Sequence, residues 1–185
     1  GVFLLTLLQP QYQSASVVRI LMQKKVTAVA IDLITDERGR YLFADILDEI
    51  DGRAAIVLAS ELLSNRSGGK GVLLGGLPGV ASSEVLIIGG GLAGRVAARA
   101  ACGLGALVRV FDNDFYRLKA TQLEVSPSIF TSNMHPHVLE NAMRSADVVI
   151  GTEVPEGGRL GVSYIEMMKR GALLFDLCMD KGGCF

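Results

Sequence analysis

Apolar and polar positions fall in blocks along this chain, and the period of the blocks changes twice. Val2 to Leu8 is a short apolar run that predicts a buried strand. Ser14 is placed to cap a helix carrying Val17, Val18, Ile20 and Leu21, closed by Lys24 and Lys25 where cations suit the helix dipole. Val26 to Leu33 is rich in β-branched residues and precedes the polar turn Thr35-Asp36-Glu37-Arg38-Gly39, which predicts a second strand. Tyr41 to Ala44 reads as a short strand or a loop. From Asp45 the spacing is helical through Ile46, Ile50, Ala54, Val57, Leu58 and Leu62, with Asp45 or Asp48 as the cap and Ser64 to Gly69 as the stop. Gly71 to Val80 is apolar but broken by Gly75, Gly76, Pro78 and Gly79. It predicts an ordered loop packed through Leu73, Leu74 and Leu77.

Beyond this loop the alternation is regular. Strands are predicted at Val85 to Ile88, Leu107 to Asp112, Ile129 to Thr131, Asp147 to Gly151 and Ala172 to Cys178. Helices are predicted at Leu92 to Leu104, Phe115 to Leu123, Pro136 to Ala146 and Tyr164 to Arg170. Pro136 suits the first turn, where its missing N–H costs nothing. Strand and helix in turn predict an α/β fold of the Rossmann type, a doubly wound parallel sheet with helices on both faces.

Composition excludes several classes of function. Lys and Arg number 18 against 19 Asp and Glu, a net charge of -1, without the basic surplus of a charge-driven nucleic-acid binder. Half of the residues are hydrophobic and 20% charged, which excludes a disordered chain. At 185 residues the chain is one domain, or one domain and a piece of another. Cys102, Cys178 and Cys184 have neither a disulfide framework nor metal spacing, and read as reduced thiols of a cytoplasmic protein. Gly1 to Leu8 followed by Ser14-Ala15-Ser16 superficially resembles a leader, but lacks a basic start, and the polar stretch from Gln9 to Ser14 interrupts it. No run reaches the roughly 20 apolar residues of a membrane span. No membrane and no metal is therefore expected. The absence of an initiator Met predicts an excised piece.

The 22 glycines cluster, and one cluster carries chemistry. Gly89-Gly90-Gly91-Leu92-Ala93-Gly94 has the G-x-G-x-x-G form, with the apolar strand Val85 to Ile88 before it and an Ala-rich helix after it. Gly89 permits a tight turn. Gly91 leaves room for a pyrophosphate, and Gly94 lets helix and strand pack closely. Leu92 and Ala93 open the helix, whose N–H groups and dipole face the phosphates. Asp112 ends the next strand, 18 residues past Gly94, where a carboxylate binds an adenosine ribose and disfavours a 2′-phosphate. NAD is the expected cofactor, with Arg117 and Lys119 as nearby cations that leave NADP open.

The run Ile87 to Gly94 with Ala97, Ala101, Gly103 to Ala106, Val108 and Asp112 resembles the NAD signature of the alanine dehydrogenase and transhydrogenase NAD-subunit family. Gly68 to Val80 resembles the loop that precedes the NAD domain there. Asp180-Lys181-Gly182-Gly183-Cys184-Phe185 resembles that family's Asp-Gln-Gly-Gly-Cys-Phe motif. No long insertion follows Asp112, which favours alanine dehydrogenase. The resemblance implies reversible NAD-dependent deamination of L-alanine to pyruvate and ammonia, in a subunit forming a homo-oligomer, a dimer or hexamer. It implies residues 1–47 as the end of a catalytic domain and 48–185 as the NAD-binding domain with its linking helix. The Arg and Lys that hold the substrate would lie before Gly1, so the active site of this piece is expected to be incomplete.

Two catalytic positions carry over by resemblance. Asp180 matches the family aspartate beside the nicotinamide, which orients water or ammonia; the alternative is a loop acid capping a turn. Gln9 stands where the family has its acid/base His, and Gln has no titratable proton near neutral pH. Asp48 stands where the family has a Ser near the cofactor, and its carboxylate disfavours phosphate. Alternatives are therefore a non-catalytic NAD-binding homologue and the transhydrogenase subunit. His135 and His137 read as solvated residues at a helix start, Arg159 as a ligand-facing or surface residue, and Cys184 as packing.

Overall fold

The computed structural model describes residues 1–9 and 13–185, so the polar break at Pro10, Gln11 and Tyr12 lies outside the described residues. The chain divides into two units, Gly1–Asp48 and Glu49–Phe185.

In the first unit, β1 (Phe3–Thr6) and β2 (Thr27–Ala30) pair in parallel. The helix α1 (Ala15–Gln23) connects them, with the Ser14 hydroxyl accepting from Val17 N–H at its start. Both strands are shorter than the apolar runs predict. The Asp32 carboxylate accepts the N–H groups of Leu8 (2.7 Å) and Gln9 (3.0 Å), which ends β1, while Ile31–Leu33 turns into a 3-10 helix and ends β2.

A second correction concerns α2, which spans Leu42–Leu63. It begins three residues before Asp45, so Tyr41 to Ala44 is mainly helix. Asp45 sits in its first turn, where a carboxylate suits the dipole, and Asp48 lies inside the helix; neither is the cap. The buried face is also not the one that the spacing of Ile46, Ile50, Val57, Leu58 and Leu62 marks. Gly52, Ala55, Ile56, Ala59 and Leu63 are buried, while Ile46, Ile50, Val57, Leu58 and Leu62 are exposed.

The second unit holds the predicted parallel sheet. Its strands are β3 (Glu84–Ile88), β4 (Leu107–Phe111), β5 (Phe130–Ser132), β6 (Val148–Gly151) and β7 (Leu173–Asp176), in the spatial order β5-β4-β3-β6-β7. The intervening helices are α3 (Leu92–Gly103), α4 (Phe115–Glu124), α5 (Pro136–Ser145) and α6 (Val162–Glu166). α6 starts before Tyr164 and stops short of Arg170, a shift from the predicted bounds.

Strand periodicity places alternate side chains on opposite faces. Val85, Ile87, Val110 and Ile150 pack with Ala97, Ala98 and Ala101 of α3 and with the buried face of α2. A side chain at Gly52 would meet the Ala93 carbonyl and lie 3.2 Å from Val96 Cβ, so Gly52 lets α2 approach α3 closely. On the other face, Leu86, Ile88, Phe111 and Val149 pack with Leu139, Ala142 and Met143 of α5 and with Cys178 and Cys184. In the glycine-rich loop only Leu74 is buried; Leu73 and Leu77 are exposed, contrary to the expected packing.

Asp147 ties the amino ends of the sheet together. Its carboxylate accepts Glu84 N–H (3.1 Å) and meets Lys169 (3.1 Å) and Lys70 (3.4 Å). Burial opposes its ionisation, yet the Glu84 N–H and the two lysines outweigh burial and hold it below the usual carboxylate range. A depressed folded-state pKa means that the unfolded chain binds the extra proton, so this stabilisation is present above about pH 4 and fades as pH falls through the folded value. Asp147→Asn is expected to destabilise the chain at neutral pH by about 1 kcal/mol. The gap from wild type should narrow in denaturant titrations as pH falls through the folded-state pKa of Asp147.

Candidate functional site

In the sheet order, β4 and β5 lie on one side of β3 while β6 and β7 lie on the other. β3 and β6 therefore flank the switch point, outside whose carboxyl ends α/β sheets bind ligands. The Gly89–Gly94 turn leaves β3 there.

Each glycine of the motif has a steric reason. Gly89 has φ 103°, a conformation that side chains disfavour, and donates its N–H to Phe111 O at 2.8 Å. A Cβ at Gly94 would run into the Gly89 carbonyl, so turn and helix touch through bare backbone. Gly91 is the N-cap of α3 in an extended conformation, and no side chain caps the helix there. Leu92 is half-buried, while Ala93 and Gly94 are buried.

Asp112, just past β4, is tied to the turn. Its Oδ2 accepts Gly90 N–H at 2.6 Å and its Oδ1 accepts Asp114 N–H at 2.8 Å. A carboxylate has about four lone-pair sites, so two remain for a ligand. Asp114 in turn caps α4 by accepting from Tyr116 N–H (2.7 Å) and Arg117 N–H (3.3 Å).

Arg117 faces three carboxylates. It is ion-paired with Glu153, and it lies 3.6 Å from Asp112 and 3.8 Å from Asp114. Burial works against its charge, but Glu153 first, then Asp112 and Asp114, raise its pKa above the ordinary arginine value. Opposite the turn, the buried Thr152 hydroxyl lies 3.1 Å from both Ile88 O and Gly89 O and donates to these carbonyls. Arg117 and its carboxylate partners border a cleft of about 270 Å³ whose walls include Gly89, Asp112, Asp114, Arg117, Met134 and Glu153.

Glu153 of this cleft, and Thr152 beside the turn, were not singled out in the sequence. Arg159, read in the sequence as a ligand-facing or surface residue of the loop after β6, is exposed with its guanidinium carbon 3.7 Å from a Cβ built on Gly183. Asp176, at the end of β7, was also missed. Its carboxylate accepts the N–H groups of Cys178 (3.0 Å) and Cys184 (2.8 Å) and so folds the terminal Gly-Gly-Cys segment back on the sheet. Asp180 is exposed on the 3-10 turn Met179–Lys181 after β7, at the carboxyl end of the sheet. Cys184 is buried, its thiol donating to Glu153 O, as expected of a packing residue. The hydrogen bond to Cys184, then burial and Asp176, push the Cys178 thiol far up, which suits an inert neutral group. His135 and His137 are exposed at the start of α5, and among the described residues no group of three or more metal-ligating side chains forms.

The family model described as alanine dehydrogenase/PNT, C-terminal domain, matches residues 55–185, which include every strand of the sheet and the whole glycine turn. The chain belongs to the alanine dehydrogenase/PNT family. An alanine dehydrogenase of Mycolicibacterium smegmatis is 37% identical over 169 residues, covering 89% of this chain and 46% of that protein. A solved L-alanine dehydrogenase superposes with a TM-score of 0.82 at 31% identity, over 94% of this chain and 49% of that one. A transhydrogenase from Sinorhizobium meliloti shares the fold, with a TM-score of 0.71 at 18% identity over 100% of this chain and 55% of that one. The chain spans about half the length of the alanine dehydrogenases it matches.

Two further residues singled out in the sequence, Gln9 and Asp48, belong to the first unit. Gln9 follows β1 with φ 42°, its N–H held by Asp32. Asp48 is half-buried within α2 at the last position of the first unit. No helix of the described residues is long and apolar enough to cross a membrane.

Proposed function

We propose that this chain carries the NAD(H) site of an alanine dehydrogenase-type oxidoreductase, which interconverts L-alanine with pyruvate and ammonia. One observation supports this reading above the others: the Gly89–Gly94 turn, fastened to the Asp112 carboxylate through Gly90 N–H, at the switch point of the sheet. Bound NAD would supply a hydride acceptor. The chain's residues do the rest by positioning.

Gly91 leaves the backbone bare for a pyrophosphate, and the first-turn N–H groups at Leu92, Ala93 and Gly94 favour an anion. The remaining lone pairs of Asp112 accept ribose hydroxyls and repel a 2′-phosphate. NADH should therefore bind at least tenfold tighter than NADPH, and Asp112→Ser should narrow that ratio to about threefold, as read by fluorescence titration. Asp180 orients the water or ammonia that attacks the substrate carbon. Gln9 donates a hydrogen bond to a carbonyl oxygen but moves no proton. A protein of this kind acts on small amino and oxo acids in the cytoplasm as a homo-oligomer, on residues 1–47 for substrate and 48–185 for cofactor.

Gln9 also favours a second reading, an NAD-binding relative without turnover, and Asp48 points the same way. The two readings separate in an assay of the gene product that carries this chain. Alanine-dependent NADH formation, with no limb near pH 6.5 from position 9, supports the dehydrogenase. NADH binding without turnover on any of a panel of small amino acids supports the second. Absence of NADH binding contradicts both.

A further inference from the structure

Glu153 lines the cleft, and the dinucleotide motif does not explain it. It follows Thr152 just beyond β6, and its chain lies along the phosphate turn. A Cβ built on Gly89 falls 3.2 Å from both its Cβ and its N. A Cβ built on Gly91 would run into its Oε1, with its Cδ at 3.0 Å and its Cγ at 3.9 Å. The carboxylate thus rests on the patch of bare backbone that Gly91 exposes. Its other oxygen, Oε2, takes the ion pair from Arg117 Nη1.

The geometry points to Glu153 as an internal anion seated in the phosphate turn, strapped there by Arg117 and displaced when a pyrophosphate-bearing cofactor binds. This inference rests on the dinucleotide reading of the turn. A carboxylate and a phosphate cannot share the space over Gly91, and two anions beside one helix N-terminus repel. The strap is built to open. Glu153 and Arg117 keep 37% and 43% of their side-chain exposure, and ion pairs at such exposure hold weakly. Arg117 also retains Asp112 and Asp114 as partners once Glu153 leaves, so its charge is not stranded. The strap selects by ligand class: it penalises phosphates at the turn and leaves a bare nucleoside untouched.

The test compares wild type with Glu153→Gln, which keeps the shape, and Glu153→Ala, which empties the seat. Each is titrated with NADH, ADP and adenosine, with melting curves to verify folding. NADH and ADP should bind about fivefold tighter to both variants, the factor of one water-screened like-charge contact, while adenosine is unchanged. Added salt should shrink the gain for the phosphates. NADH binding to folded Glu153→Gln no tighter than to wild type overturns the strap, as does an equal gain for adenosine. Absence of NADH binding to all three proteins overturns the dinucleotide reading itself, and the strap with it.

Discussion

Gly91→Val is expected to weaken NADH binding by about a hundredfold while the chain stays folded. Gly91 has φ -65° and ψ -169°, a backbone that any residue adopts. The obstacle to a side chain there is the end of Glu153, which is flexible and half-exposed. Replacing an N-cap glycine by a β-branched residue costs about 1 kcal/mol of stability. Binding loses far more, because the isopropyl group fills the space a phosphate needs. Charge-assisted hydrogen bonds are worth roughly 1.5–3 kcal/mol each, so losing one or two weakens binding at least about tenfold to a hundredfold. Calorimetric titration and a melting curve on the same sample separate the two effects. The double variant Gly91→Val with Glu153→Ala removes the clash and should still fail to bind.

Gly94→Ala is expected to damage both fold and binding. Its added methyl meets the Gly89 carbonyl, which is backbone, and lies 3.3 Å from the Thr152 hydroxyl that donates to that same region. Neither can swing aside as Glu153 can. Overpacking of this kind costs about 1–3 kcal/mol, and relief requires α3 to move away from β3. The phosphate turn moves with it, so NADH affinity should fall together with the denaturant midpoint. A variant that melts like wild type and binds NADH normally would contradict the close approach.

What the sequence made legible in this site is what the backbone itself demands. A phosphate turn needs glycine at fixed offsets between a strand and a helix, and Gly89, Gly91 and Gly94 satisfy that need within six residues. Asp112 was readable because it ends the next strand, which pairs in parallel with β3. Glu153 and Thr152 were not, because they reach the turn from the loop after β6, and no period or spacing constrains a loop residue so distant in sequence. Asp176 hid for the same reason, its role depending on how the chain folds back at Cys184.

The parallel sheet followed from alternation, but the buried face of α2 did not. That helix carries apolar residues on more than one side, and periodicity marks the large ones at Ile46, Ile50 and Val57. The face that is buried joins Ile56 and Leu63 to the small residues Gly52, Ala55 and Ala59, and Gly52 lets the helix approach α3 closely. After β1 a single carboxylate, Asp32, overrode the apolar run by taking two backbone donors. Side-chain capture of backbone groups across a loop leaves no mark in a hydrophobic pattern.

The central claim is that the Gly89–Gly94 turn and Asp112 form a dinucleotide site. Titration of the 185-residue chain with NADH, beside Gly91→Val, tests it most directly. The account predicts saturable binding at one site per chain, displaced by ADP and lost in the folded variant. No saturable binding by the wild-type chain, or equal binding by Gly91→Val, would contradict it.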